Sequence, residues 1–291
     1  MAFSHQILGP WTRRLAILGG ALALVGCSIP GPDTDEKAML LALPLRTLEL
    51  PAGYSLRYRE AGDPNGKTVV FVHGTPGESD AWTDYLMSVP KGYRYLAVDR
   101  PGFGESGPDD AVVSLAEQAK ALADLLQAKG NRAAVFVGHS LGGPIIAQFA
   151  VDSPKLASAL VIVAGSLDPA QESIPFIQYV GDTWPVSALL PRMIRNANRE
   201  IIALKPQLEA LAPRLATVKV PVTIVHGTKD DLVPFANVDF IKTHMTGTKA
   251  MDVTVLDGLN HFLPWNSKPK IEGAITKAFD MMDKPASGQV P

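Results

Sequence analysis

The sequence predicts an α/β fold, with a mostly parallel central sheet flanked by helices. Short β-type runs alternate with longer stretches of helical periodicity over most of the 291 residues. Several runs, such as Val69-Val70-Phe71-Val72, are apolar at every position, as expected of strands covered on both faces. The composition, 46% hydrophobic and 19% charged, can fill a substantial core and excludes wholesale disorder.

Strands are expected at Ser55–Glu60, Thr68–Val72, Tyr93–Val98, Ala134–Val137, Ala159–Val163, Val222–Val225 and Met251–Leu256. The clearest helix is Ser114–Gln127, with Leu115, Ala119, Leu122, Leu125 and Leu126 on one face. Ser114 and Glu117 form a capping-box pattern at its start, and Gly130-Asn131 can end it. Residues 166–214 break the alternation. Prolines 169, 175, 185, 191, 206 and 213 punctuate short amphipathic pieces there, which read as a small helical cap inserted between two strands.

The first residues read differently. Positions 1–32 hold no Asp or Glu, and Arg13-Arg14 precede the apolar run Leu15–Val25. Eleven residues of helix reach only about 16 Å, short of a bilayer core of about 30 Å. A basic flank, a short apolar run and small residues afterwards form the layout of an export signal. The run ends Leu24-Val25-Gly26-Cys27, which resembles the lipobox of bacterial lipoproteins. That resemblance implies cleavage before Cys27, lipid attachment at Cys27 and, with Ser28 next, sorting to the outer membrane. The expected organisation is a signal peptide at 1–26, a lipid-anchored tether at 27–44, a core at 45–165 and 215–285, the cap at 166–214 and a tail at 286–291.

Composition narrows the function. Lys and Arg number 27 against 29 Asp and Glu, with no basic block, which argues against a nucleic-acid groove. The single cysteine excludes a disulfide framework and a thiolate zinc site.

Gly138-His139-Ser140-Leu141-Gly142 lies between an expected strand and an expected helix. A tight turn there forces the central residue into a strained conformation and needs small residues two before and two after it. It lifts the Ser140 hydroxyl above the sheet edge. The Leu141 N–H then sits at a helix N-terminus, where an unpaired donor and the helix dipole favour negative charge. A serine hydroxyl needs a base, and the base an orienting acid. Asp230 and His261 each fall just past the end of an expected strand, so a parallel sheet can bring both to the edge that carries Ser140. Asp168 is the alternative acid, and Asp231 is Asp230's neighbour. His139 reads as a packing or rim residue pointing away from Ser140, His226 as a strand terminator and His244 as a solvated helix residue. A second turn, His73-Gly74-Thr75-Pro76-Gly77, can aim the Thr75 N–H at Ser140, whereas Pro76 has no N–H to offer.

These segments, together with Asp99-Arg100-Pro101-Gly102-Phe103-Gly104-Glu105-Ser106 and the ordered pair Gly227-Thr228-Lys229-Asp230 and Asn260-His261, resemble the α/β-hydrolase fold superfamily over roughly residues 45–283. The resemblance implies a serine hydrolase with Ser140 as nucleophile, His261 as base, Asp230 as orienting acid, and the N–H groups of Leu141 and Thr75 as oxyanion hole. Similar dehalogenases and epoxide hydrolases use an aspartate nucleophile where Ser140 stands, which disfavours those activities. Proline iminopeptidases usually have a second glycine where Thr75 stands. The expected substrate is a small-molecule carboxylic ester with a small or apolar acyl part. Amide, lactone or carbon–carbon cleavage, and a non-catalytic binder on the same scaffold, are the alternatives. The chemistry needs no metal or organic cofactor. Membrane association through Cys27 is expected, and the oligomeric state is left open.

Overall fold

A computed structural model describes residues 42–130 and 132–283. The export signal, Cys27, most of the 27–44 tether, Asn131 and the 286–291 tail lie outside the described residues.

Eight strands form one sheet: β1 (Arg46–Glu49), β2 (Ser55–Gly62), β3 (Lys67–Val72), β4 (Tyr93–Asp99), β5 (Ala134–His139), β6 (Ala157–Val163), β7 (Val222–Gly227) and β8 (Met251–Leu256). Their order is β1-β2-β4-β3-β5-β6-β7-β8. β2 runs antiparallel to both β1 and β4, and every other pairing is parallel. The fold is therefore the α/β architecture read from the sequence. β1 was not anticipated, because Arg46-Thr47-Leu48-Glu49 is a short, mostly exposed edge strand with no apolar run. The parallel strands β3 to β8 all end at one edge, the edge that carries the candidate site.

Strand alternation divides the interior into two layers. Val70, Val72 and Phe136 point into one, with Leu115 to Leu126 and Ile145 to Ala150 packed on them. Val69, Phe71, Val135 and Val137 point into the other, against Trp82, Tyr85, Ile271 and Ile275. Burying a side chain of this size contributes about 1.5–3 kcal/mol, which holds the central strands in fixed register.

The helices are α1 (Thr83–Met87), α2 (Leu115–Ala128), α3 (Gly142–Asp152), α4 (Phe176–Gly181), α5 (Val186–Leu189), α6 (Arg192–Leu211), α7 (Ala236–His244), α8 (Leu263–Asn266) and α9 (Lys268–Asp283). Ser114 caps α2, its hydroxyl accepting the Glu117 N–H at 3.2 Å. Gly130 lies just past the end of α2 with φ +96°.

Between β6 and β7 the chain forms α4, α5 and α6 before a short 3₁₀ turn, Ala212–Thr217. α6 buries Asn196, Glu200, Leu204, Leu208 and Leu211, a helical stripe. It grips the loop after β4: Asn196 Nδ2 donates to Gly102 O at 2.8 Å, and Arg192 Nη1 to Gly104 O at 2.7 Å. By contrast, α4, α5 and the turn between them leave Phe176, Ile177, Tyr179, Trp184, Val186 and Leu189 exposed. Among the described residues no helix is long and apolar enough to cross a membrane.

Candidate active site

The turn from β5 into α3 is strained at one residue. Ser140 has φ +55°, one of two non-glycine residues with positive φ among those described. Two close approaches impose it. A Cβ on Gly138 would lie 2.4 Å from Gly142 O, and one on Gly142 would lie 2.4 Å from Val72 O. Only glycine lets the chains pass. The Ser140 N–H is tied to Val163 O at 3.0 Å, and its carbonyl accepts the Gly143 N–H at 2.9 Å. The backbone is held on both sides, and the side chain is left at the strand end.

The two N–H groups singled out in the sequence flank this turn. Leu141 is the residue before α3, at its positive end. Thr75 lies in the turn after β3, whose Gly74 packs so closely that an added Cβ would sit 2.8 Å from Ser140 Cβ. Among the described residues neither N–H has an acceptor.

Asp230 and His261 meet. Asp230 Oδ2 accepts from His261 Nδ1 at 2.8 Å, and the Asp230 side chain is fully buried. Its other oxygen accepts the N–H groups of Leu232 at 3.0 Å and Val233 at 2.8 Å. The carboxylate therefore faces the imidazole in one orientation. The bond at Nδ1 leaves His261 Nε2 as the ring's basic nitrogen, the tautomer a general base requires. Neither Nε2 nor the Ser140 hydroxyl makes a hydrogen bond among the described residues. Bonds of that kind are often long until substrate draws the groups together.

His139 ties the His261 loop to the end of β5. It is buried, and its Nε2 donates to the His261 carbonyl at 3.0 Å. Its ring lies 4.7 Å from that of His261 and meets Trp265 edge-on at 5.8 Å. Burial, and next the neighbouring His261, push its pKa down to about 3. A neutral ring thus clamps the loop that carries His261. This is more than the packing or rim role read from the sequence, and no local pattern signals it, since the partners are 122 positions apart.

His226 does not terminate its strand, because its backbone stays paired with Val255 and β7 runs on to Gly227; its side chain lies beside Asp230. Its Nε2 donates to Val233 O at 2.9 Å and lies 3.6 Å from Asp230 Oδ2. Burial lowers its pKa. The other candidates lie elsewhere. Asp231 is exposed. Asp168 accepts the Ala170 N–H at 2.9 Å and Gln171 Nε2 at 3.3 Å, so it organises its own turn. His244 stacks on Phe240 at 3.9 Å. A shallow depression of about 200 Å³ lined by Lys67, Thr68, Arg132, Ser158 and Phe279 lies at the opposite ends of the strands, away from all these groups. Among the described residues no group of His, Cys, Asp and Glu could hold a metal ion.

Residues 67–185 match the family model described as the alpha/beta hydrolase fold. The chain is 30% identical to Lipase 1 of Psychrobacter immobilis, over 76% of this chain and 83% of that protein. The chain belongs to the α/β-hydrolase fold family. A shorter match, 34% identical over 135 residues, is to the dihydrolipoyllysine-residue acetyltransferase component of the acetoin cleaving system of Cupriavidus necator. It spans 46% of this chain and only 35% of that longer protein. Among solved structures, a putative lipase from Acinetobacter baumannii shares the hydrolase fold with TM-score 0.68 and 17% identity, over 87% of this chain and 99% of that one.

Proposed function

We propose that this hydrolase-family chain is a serine hydrolase that cleaves a carboxylic ester of a small or apolar acyl substrate through an acyl-enzyme. The observation that carries the reading is the buried 2.8 Å Asp230–His261 bond, joined through His139 to the strained turn that presents Ser140. Ser140 Oγ attacks the acyl carbonyl as His261 Nε2 takes its proton. The charge that develops on the carbonyl oxygen is met by the N–H groups of Leu141 and Thr75. His261 returns the proton to the leaving alkoxide, and the ester C–O bond breaks. Water, deprotonated by the same nitrogen, then attacks the acyl-enzyme; the acid leaves and Ser140 regains its proton. Asp230 fixes the imidazole tautomer and stabilises the imidazolium formed in each half.

Residues 166–214 serve as a cap in this reading. Its apolar side chains, among them Ile174, Phe176, Trp184 and Leu189, suit an acyl chain. Cys27 is proposed to carry the lipid that anchors the mature chain at the bacterial envelope. Fatty-acid labelling that is lost in Cys27→Ser supports the anchor, and labelling that persists rejects it.

The serine assignment is tested with Ser140→Ala on p-nitrophenyl acetate. Turnover is expected to vanish while the circular dichroism spectrum stays that of the parent. Undiminished turnover rejects Ser140 as nucleophile.

A further inference from the structure

Resting on that reading, we propose that Arg100 and Glu200 are positioning residues for the oxyanion hole: their buried ion pair ties helix α6 to the peptide unit that carries the Thr75 N–H. Arg100 lies in the loop after β4 and Glu200 on α6, and their side chains are 1% and 2% exposed. Arg100 Nη1 meets Glu200 Oε1 at 2.6 Å and Nη2 meets Oε2 at 3.0 Å, a two-pronged match of fork and carboxylate. Nη1 also donates to Gln118 Oε1 at 2.9 Å. Gln118 Nε2 in turn donates to Glu200 Oε1 and Val112 O. Beyond the cluster, Arg100 Nε lies 3.4 Å from His73 Nδ1, and Nη2 donates to Gly74 O at 3.0 Å.

That bond reaches the site. The Gly74 carbonyl and the Thr75 N–H are the two ends of one planar peptide unit. The bond is trans, since the cis peptides here all precede proline. The N–H therefore points opposite to the carbonyl, and fixing one end fixes the other. His73 supplies a second clamp. The Arg100 N–H donates to His73 Nε2 at 3.0 Å, so the ring proton sits on Nδ1, which donates to the same Gly74 O at 2.7 Å. Burial and the adjacent guanidinium keep His73 neutral. The peptide unit cannot swivel without breaking both bonds. A cation on the carbonyl oxygen also polarises the amide and strengthens its N–H as a donor. Because Gly74 packs against Ser140 Cβ, the clamp acts beside the nucleophile.

The test uses the double variant Arg100→Met/Glu200→Leu, an apolar exchange of a kind that buried ion pairs often tolerate. The readouts are kcat and KM on p-nitrophenyl acetate, the thermal midpoint, and inhibition by a trifluoromethyl ketone that forms a tetrahedral adduct on serine. Loosening one oxyanion donor is expected to lower kcat about 10–100-fold, a fraction of the full loss of a donor. KM should stay close to that of the parent, and ketone inhibition should weaken by the same factor as kcat. A folded double variant with parental kcat and ketone affinity overturns the proposal, as does a loss confined to KM. Should the double variant fail to fold, Glu200→Gln carries the test. It keeps the contact but removes the charge, and is expected to lower kcat about threefold to tenfold, against the 10²–10³ typical of losing a whole donor; parental kcat there overturns the proposal. If the parent protein neither turns over esters nor takes a phosphonate label at Ser140, the serine-hydrolase reading itself fails, and the positioning role with it.

Discussion

Two regions of the molecule stand at opposite extremes of packing. Every residue of β5 and β7 is buried, whereas α4 and α5 together bury only Ser187. The buried strands deliver Ser140 and Asp230, and a loop clamped to β5 delivers His261. α4 and α5 deliver exposed apolar side chains instead. The division matches two physical demands. The proton transfer proposed for Ser140, Asp230 and His261 needs groups held within a fraction of an ångström, and these residues sit on elements that cannot shift without opening a core. Recognition of an apolar group needs surface that can adapt, and such surface comes from the least stable parts of a fold.

The comparison breaks first at the base. His261→Ala removes the proposed proton acceptor and is expected to lower ester turnover by about 10⁶-fold with the fold retained. Steady-state kinetics alongside circular dichroism check it, and a loss below tenfold would relocate the base. Asp230→Asn keeps an oxygen for the Leu232 and Val233 N–H groups but offers His261 the wrong partner, so turnover is expected to drop about 10⁴-fold. Gly142→Ala probes the rigid region itself. The new Cβ meets Val72 O, and a loss of about 1–3 kcal/mol in urea denaturation is expected, as for an overpacked core.

Acid should act on the rigid region through His139. Unfolded, it takes up a proton near pH 6.5, the ordinary histidine value; folded, its pKa is about 3. Between those values the unfolded state binds more protons, so stability is full above that range and declines as the pH drops through it. The urea midpoint followed against pH checks this, and His139→Phe is expected to flatten the decline. The smallest effect belongs to the exposed segment. Trp184→Ser should change stability by less than about 0.5 kcal/mol, as surface changes do. KM should rise for long-chain esters more than for acetate.

The same division governs what the sequence reveals. The sheet could be read because strands buried on both faces leave continuous apolar runs. β1 could not, because an exposed edge strand of four residues leaves none. The Ser140 turn is local, so its glycines announce it. Asp230 and His261 could be named only through the rule that parallel strand ends share an edge, which is a statement about topology. The supporting contacts are of another kind. His139 with the His261 carbonyl, and Arg100 with Glu200, join residues 122 and 100 positions apart. A buried Arg or Glu looks in sequence like a solvated one, and only the folded chain distinguishes them.

The central claim is that Ser140 is the reactive hydroxyl. Mass spectrometry after treatment of the intact protein with a fluorophosphonate tests it most directly. One adduct per chain is expected, on the peptide that contains Ser140, and none in the His261→Ala variant. An adduct on another peptide, or a parent protein that takes none while it cleaves esters, would contradict it.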